Sequence, residues 1–275
     1  MLAGGPCTIE AMARTVSRLS ITPVKSTALI HPDQVMLERF GVAENRRFYA
    51  INHNGRLLNA ARHGGLLALG SRWEPGRGRL TLRFPDGREV SGPAEPHGEV
   101  RTTVFWGRPV EGREVVGAFS EALSAYVGEP VRLMMTERPG DGNDSSAASL
   151  VSSASVDELA RRAGDDDGNG VASAARDGRR FRMLVEVDGC EPHEEDAWVG
   201  REVQVGEAII RIIRRDPRCV ITTLSPDTGA PDFDTLEAIR AYRYDRERKE
   251  LPFGVYADVV EPGVVRVGDE VEPLG

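Results

Sequence analysis

Cysteine is scarce in this sequence, and its scarcity excludes several kinds of site. The 275 residues contain three cysteines, Cys7, Cys190 and Cys219, and no two of them are close in the chain. A disulfide framework, a C-x-x-C zinc site and an iron–sulfur cluster all need more cysteines or closer spacing. So few cysteines suit a reducing compartment, and we expect a cytoplasmic protein.

Long apolar runs and excess positive charge are also missing. No stretch approaches the roughly 20 apolar residues of a membrane-spanning helix, and the opening MLAGGPCTIEAMARTV lacks the apolar core of a signal peptide. The net charge of −8 disfavours binding to nucleic acid or to an anionic membrane. We therefore expect neither as a partner, and local basic clusters become informative.

Short strands separated by turn residues predict a mainly β fold. The pattern is typical of a barrel or sandwich, with helices expected at 116–127, after a Ser155 N-cap, and from Phe233 through Tyr242. Polar loops are expected at 138–148 and 164–178, and the second contains DDDGNG. That motif is similar to part of a calcium loop but lacks the closing acidic residue, so we do not expect calcium. Strands are expected at 17–21, 44–51, 56–60, 79–84, 100–105, 131–135, 179–187, 208–213 and 220–223.

The stretch from Arg211 to Thr228, RIIRRDPRCVITTLSPDT, holds the most distinctive chemistry. Cys219 follows an Asp-Pro corner between two β-branched runs, with Arg214, Arg215 and Arg218 close in sequence. Guanidinium groups favour the thiolate, which is the form that attacks or ligates a metal. The alternative is a small buried thiol beside solvated arginines.

Basic residues also stand at several predicted strand ends. A cation and a hydroxyl group together suit an anionic ligand, and glycines beside an arginine let backbone amides approach a phosphate. The alternative in each case is a plain solvated turn. The clusters are Lys25-Ser26, Arg46-Arg47, Arg62-His63 before two glycines, and Arg179-Arg180 with Arg182.

An acidic loop, PHEEDAW at 192–198, places one histidine among carboxylates. A divalent metal site is conceivable there. The alternative is that these carboxylates, Asp196 among them, are solvated or paired with arginines.

Several motifs in order resemble the MOSC domain, named for the C-terminal domain of molybdenum cofactor sulfurase. The segment DPRCVITTLSPDTG and the following TLEAIRAYR are similar to the branch of the mitochondrial amidoxime-reducing component and its bacterial relatives. ITPVKS, NRRFYAINHNG and AAR resemble the N-terminal β-barrel region of that branch, while RRFRMLVEVDG and HEEDAWVG resemble its approach to the cysteine. The resemblance runs from about residue 17 to the end.

The resemblance implies an α+β, mainly β fold, in which an N-terminal β-barrel-like region packs on a C-terminal MOSC β barrel with a few helices. It implies a flexible tail at 1–16, the N-terminal region at 17–115 and the MOSC domain at 116–275. It also implies that the protein binds the molybdenum cofactor, molybdopterin with molybdenum. Cys219 would be the metal ligand and Asp196 a proton carrier near the metal, while the pterin and its phosphate would be held by Lys25, Ser26, Arg46, Arg62 and Arg182.

The activity implied by the resemblance is a molybdenum-dependent oxidoreductase that reduces small N-hydroxylated or N-oxide compounds, without pyridoxal phosphate. Because the chain has no cysteine cluster, electrons would come from a separate protein of the ferredoxin or cytochrome b5 type. Two alternatives stay open: a sulfur or molybdenum-cofactor carrier with a persulfide on Cys219, and a binding module that has lost the metal.

Overall fold

The structure is a computed structural model that describes residues 13–164 and 171–275. Cys7, the DDDGNG motif and most of the expected 1–16 tail therefore lie outside the described residues. The fold is mainly β, as the sequence predicts. No helix within the two described ranges is both long and apolar enough to cross a membrane.

The strands are short, with few exceptions. They are β1 Thr15–Leu19, β2 Gln34–Leu37, β3 Phe48–Asn52, β4 Gly70–Glu74, β5 Arg79–Arg83, β6 Glu89–Pro93, β7 Pro96–Phe105, β8 Arg108–Val115, β9 Val131–Thr136, β10 Ala148–Ser152, β11 Val185–Asp188, β12 Glu202–Val205, β13 Ala208–Pro217, β14 Pro252–Glu261, β15 Gly263–Arg266 and β16 Val271–Pro273. The helices described are α1 Phe119–Val127, α2 Ser153–Arg162, α3 Val171–Ala175 and α4 Thr235–Arg243.

A seven-stranded sheet in the order β1-β11-β10-β14-β13-β12-β16 forms the C-terminal barrel. All its neighbouring strands are antiparallel except β10 and β11. Its two edge strands are joined by backbone hydrogen bonds, from Val16 N to Asp269 O at 2.8 Å and from Val271 N to Arg14 O at 2.9 Å, which nearly close the barrel. Alternate residues of β13, such as Ile210 and Ile212, are buried in the barrel core.

The N-terminal region consists of two sheets around a second core. The order is β3-β9-β8-β7 in one and β4-β5-β6 in the other. Phe48, Leu80, Leu133 and Phe119 of α1 are buried together between them. The predicted packing of an N-terminal β region on a C-terminal barrel is therefore confirmed.

The chain crosses between the two regions. β1 pairs with β11, and β2 pairs with β15, so the first two strands complete sheets made from the end of the chain. Conversely, β9 lies after residue 116 in the chain but pairs with β3 and β8 of the N-terminal region. The predicted boundary between residues 115 and 116 stays a prediction.

The stretch after Cys219 is a 3₁₀ turn at Val220–Thr223, and the prediction of a second β run there is wrong. The hydroxyl groups of Thr222 and Thr223 donate to the carbonyls of Cys219 and Val220 at 3.0 and 2.8 Å. These local hydrogen bonds take the place of the inter-strand hydrogen bonds that a run of β-branched residues would otherwise form in a sheet.

The predicted strand at 179–187 is also mostly wrong. Gly178–Phe181 forms a 3₁₀ turn, Arg182 has a φ of 55°, and strand β11 begins only at Val185. Asp177 starts the turn by accepting a hydrogen bond from Arg179 N at 3.0 Å.

Helix α2 begins three residues earlier than predicted. Ser152, not Ser155, is the N-cap, and its Oγ accepts from Ser155 N at 3.1 Å. Glu158 does not complete a capping box; it pairs with Arg161 and Arg162 on the same helix.

The turn at 52–55 is present, with Gly55 at a φ of 71° and its amide bonded to Asn52 O at 2.9 Å. The return strand expected at 56–60 is reduced to one bridge, between Ile51 and Leu57. This short pairing leaves the following residues free to form the wall of a cavity.

Candidate functional site

A cavity of about 250 Å³ lies between the two regions and takes its walls from both. The N-terminal wall comes from the turns around β3 and from the tip of the β7–β8 hairpin. The C-terminal wall comes from the end of β13 and the loops beside it. Its lining residues include Lys25, Ser26, Arg46, Asn59, Trp106, Asp144, Arg180, Arg182, Arg214, Asp216, Arg218, Cys219 and Tyr256.

Cys219 stands where β13 ends. The pairing of β13 with β14 shifts register between Arg215 and Pro217, which leaves a bulge at the corner. Arg218 is locked in place by an ion pair with buried Asp216 at 2.9 Å and by a bond from Nε to Phe253 O at 2.7 Å. The next residue, Cys219, carries a free, exposed thiol on the cavity wall.

Lys25 is buried in the N-terminal wall of the cavity. Its Nζ donates to Gly142 O at 2.9 Å and to Asp144 Oδ1 at 2.6 Å. Burial lowers the pKa of Lys25 to about 8, although the Asp144 carboxylate opposes this shift. The adjacent Ser26 has a φ of 72° and also lines the cavity.

Asp144 forms ion pairs with two basic residues of this wall, Lys25 and Arg46. Besides Lys25, it contacts Arg46 at 3.3 Å and accepts a hydrogen bond from Trp106 Nε1 at 3.0 Å. Burial alone would raise the pKa of Asp144, but Lys25, Arg46 and these hydrogen bonds hold it well below its ordinary value. Sequence reasoning missed Asp144, because one carboxylate in a polar loop gives no pattern.

Arg182 is a cation without a carboxylate of its own. Its left-handed backbone turns the guanidinium toward Thr27 O, which accepts a hydrogen bond at 2.7 Å. Within the described part of the chain, no Asp or Glu forms an ion pair with it. Burial, and then the nearby Arg46, lowers the pKa of Arg182 to about 9.

The cavity wall is strongly cationic in a protein whose net charge is −8. Two carboxylates, Asp144 and Asp216, line it. Its six basic residues are Lys25, Arg46, Arg180, Arg182, Arg214 and Arg218. Such an excess of guanidinium and ammonium groups is suited to a ligand that carries a phosphate.

Family models match both parts of the chain. The model described as "MOSC domain" matches residues 137–272, and "MOSC N-terminal beta barrel domain" matches residues 13–130. The chain belongs to the MOSC-domain family. The walls of the cavity in this MOSC-domain protein thus come from residues within both matches.

Curated relatives of this MOSC-domain protein share modest identity. "Mitochondrial amidoxime-reducing component 1" of Homo sapiens is 25% identical over 291 residues, covering 95% of this chain and 83% of that protein. "Mitochondrial amidoxime reducing component 2" of Rattus norvegicus is 41% identical over 98 residues, covering 33% and 28%. Among solved structures, the YUAD protein from Bacillus subtilis is 14% identical with a TM-score of 0.41, covering 95% and 96%.

The MOSC cavity contains a second interacting pair that sequence reasoning missed. Tyr256 of β14 interacts electrostatically with Asp216, and Arg214 stacks over the Tyr256 ring at 4.8 Å. Burial raises the pKa of Asp216 to about 6, against the opposing effect of Arg218. The alternation of β14 puts Tyr256 on the face opposite the core residues Val255 and Ala257, and nothing in the sequence indicates its partner.

Two of the predicted site residues do not line the cavity. Arg62 is exposed in an adjoining shallow hollow with Arg56. Asp196 lies in the 3₁₀ turn Glu194–Trp198, where its Oδ2 accepts from Arg243 at 2.6 Å. The roles predicted for Arg62 and Asp196 remain predictions, whereas Lys25, Ser26, Arg46, Arg182 and Cys219 are brought to one cavity.

The acidic loop around His193 shows no sign of metal ligation. His193 Nε2 lies 3.2 Å from the Tyr242 hydroxyl, and burial, with Arg243 nearby, lowers the pKa of His193 to about 4. Across 13–164 and 171–275, no group of three or more His, Cys, Asp and Glu side chains is placed to hold a metal ion.

Proposed function

We propose that this protein binds the molybdenum cofactor in the cavity and reduces small N-hydroxylated or N-oxide compounds. The observation that carries the proposal is an exposed cysteine thiol and an excess of basic side chains on the walls of one cavity. A thiolate suits a soft metal, and basic side chains suit the phosphate of a pterin. The names of the curated relatives, amidoxime-reducing components, support an amidoxime-type substrate.

Lys25, Arg46 and Arg182 would hold the phosphate and pterin, with Ser26 beside them. A pKa of about 8 leaves the Lys25 side chain mostly protonated at neutral pH. Asp144 holds the Lys25 ammonium by its 2.6 Å contact and so fixes where that charge lies. Cys219 would supply the protein's thiolate to molybdenum.

The cofactor would supply the two-electron chemistry. An N-hydroxylated compound, two electrons and two protons give the corresponding N–H compound and water. We propose that the electrons come from a separate ferredoxin- or cytochrome b5-type protein and that the reaction takes place in the cytoplasm.

The decisive experiment is elemental analysis for molybdenum on protein expressed with the cofactor pathway intact. We expect about one metal per chain in the wild type and in Cys190→Ala, and loss of the metal in Cys219→Ala. Cys190 is a suitable control because it packs against the barrel core and does not line the cavity. The loaded wild type should also reduce an N-hydroxylated compound with a chemical electron donor.

Absence of metal from all three proteins would reject the proposal and favour the second candidate, a sulfur carrier. The exposure of the Cys219 thiol favours that candidate, since a persulfide needs access to its donor and acceptor. A carrier would show labile sulfur on Cys219 and no reduction of N-hydroxylated compounds.

A further inference from the structure

The tip of the β7–β8 hairpin places an aromatic ring at the mouth of the cavity. Trp106 and Gly107 form the two-residue turn, with φ angles of 50° and 89°. Positive φ at both positions normally selects Asn or Gly, and a bulky residue there is an outlier. Trp106 is nevertheless 62% exposed, so burial of its ring does not explain its presence.

The hairpin tip is held by polar bonds rather than by packing. The Trp106 indole N–H donates to Asp144 Oδ1 at 3.0 Å. The neighbouring Arg108 donates to the carbonyls of Asp141 and Asn143 at 2.9 and 2.7 Å. These bonds fix the edge of the indole, while the ring borders both the main cavity and the hollow that contains Arg62.

A second residue of the same cavity has an unused acceptor. Asn59 is 9% exposed and lines the cavity, and its backbone carbonyl accepts from the amides of Arg62 and His63. Its side-chain Oδ1 is buried and has no hydrogen-bond partner in the described residues. A buried acceptor without a donor is costly, so an N–H or O–H group of a ligand would relieve it.

We propose that Trp106 and Asn59 form the substrate-binding end of the cavity. The indole stacks on the planar aromatic or amidoxime group of the substrate, and Asn59 Oδ1 accepts a hydrogen bond from its N–H or O–H. This inference rests on the proposed function and makes it more specific, because it selects planar substrates that carry a donor. Asp144 Oδ1 accepts from both Lys25 and Trp106, so this substrate-binding end directly adjoins the cationic residues Lys25, Arg46 and Arg182 that would hold the cofactor.

The binding test uses tryptophan fluorescence of the full-length, cofactor-loaded protein without an electron donor, so that the substrate binds but does not react. The probe is benzamidoxime, a neutral planar compound. Trp198 is 2% exposed, and Trp106 is the strongly exposed tryptophan of the described ranges. We expect quenching and a blue shift of the emission in the wild type, and loss of this signal in Trp106→Leu.

The kinetic test compares an aromatic with a small aliphatic amidoxime. In Trp106→Leu we expect the KM for benzamidoxime to rise about three- to tenfold, the change expected for one lost aromatic contact, with kcat little changed. The KM for acetamidoxime should change less than twofold. The KM of Trp106→Phe for benzamidoxime should stay near that of the wild type. Asn59→Ala should weaken the binding of benzamidoxime more than the binding of benzonitrile, which has no N–H or O–H group.

Val104→Ala is the matched control. Val104 is 64% exposed on the same hairpin and borders only the shallow hollow. We expect wild-type fluorescence titrations and KM values for this variant.

Three results would overturn the inference. One is an unchanged dissociation constant for benzamidoxime in Trp106→Leu. Another is equal damage in Trp106→Phe, which would make the indole N–H bond to Asp144 the important feature. The third is loss of molybdenum from Trp106→Leu, which would place the ring against the cofactor. If even the wild type holds no metal, the proposed function fails. A fluorescence response to benzamidoxime that depends on Trp106 would still support the substrate-binding role of this residue.

Discussion

A single residue, Asp216, gives the cavity a carboxyl group that titrates near neutral pH. Asp216 is 3% exposed and is held between Arg218 and Tyr256. Because burial raises its pKa from 3.8 to about 6, the folded protein binds more protons than the unfolded chain between these values. The stabilisation from this group is complete below pH 3.8 and is lost as the pH rises through 6.

Replacing Asp216 by Asn should therefore remove a pH dependence rather than a fixed amount of stability. The difference in free energy of unfolding between wild type and Asp216→Asn should shift by about 2–3 kcal/mol in favour of the variant from pH 4 to pH 7. Urea unfolding at several pH values measures it. Asp258→Asn, on an exposed position of β14, is the control, and an equal shift there would contradict the assignment.

At the residue scale, motifs in the sequence singled out several residues that the fold brings together, but not the side chains that they contact. Lys25, Arg46, Arg182 and Cys219 were identified from motifs, and the fold brings them to one cavity. Asp144 was missed because its role depends on the loop before β10 folding back onto Lys25. That contact spans more than a hundred residues, and no local pattern reports it.

At the scale of elements, the loop between β9 and β10 is built around a close backbone approach. A Cβ added to Gly142 would lie 1.9 Å from the carbonyl oxygen of Arg46. The same glycine's carbonyl accepts from Lys25 Nζ at 2.9 Å. Gly142 thus sets the distance between this loop and the cationic wall.

Gly142→Ala should push the loop away from Arg46 and shift Asp144 with it. We expect molybdenum content to fall at least several-fold, together with a drop in melting temperature. Gly76→Ala is the control, because nothing lies within 4 Å of an added Cβ there and its φ is not positive. Retention of full metal content by Gly142→Ala would show that the loop does not position the site.

Prediction of the elements worked well for strands with a clear hydrophobic pattern and poorly where side-chain hydrogen bonds determine the backbone conformation. Strands Arg79–Arg83 and Val131–Thr136 were predicted within a residue or two. Arg79–Arg83 alternates between buried and less buried residues, and Val131–Thr136 is almost wholly buried. Val220–Thr223 has strong β propensity but forms a 3₁₀ turn, since threonine hydroxyl groups satisfy the backbone locally. Which strands pair across the chain, such as β1 with β11, was not visible in the sequence.

At the scale of the whole molecule, a cationic cavity lies within an acidic protein. Protein made without the cofactor pathway should bind inorganic pyrophosphate there, and its melting temperature should rise by about 2–5 °C at low salt. Arg182→Gln should lose most of this rise. Arg211→Gln, on an exposed position of β13 paired with Glu202, should keep it.

Raising the salt concentration to 0.5 M should reduce the pyrophosphate effect in the wild type, because the attraction is screened. If pyrophosphate raised the melting temperature of Arg182→Gln as much as that of the wild type, the anion would bind outside the cavity.

The junction between β1 and β16, the two edge strands of the C-terminal barrel, also has a consequence for the synthesis of the protein. β1, the first described strand, lies beside β16, the last, and β1 pairs in turn with β11. On a ribosome, β1 emerges long before any of its neighbours exist. The barrel therefore closes only after β16 has left the ribosome, and until β11 has emerged β1 is an unpaired strand that chaperones or neighbouring nascent chains can bind.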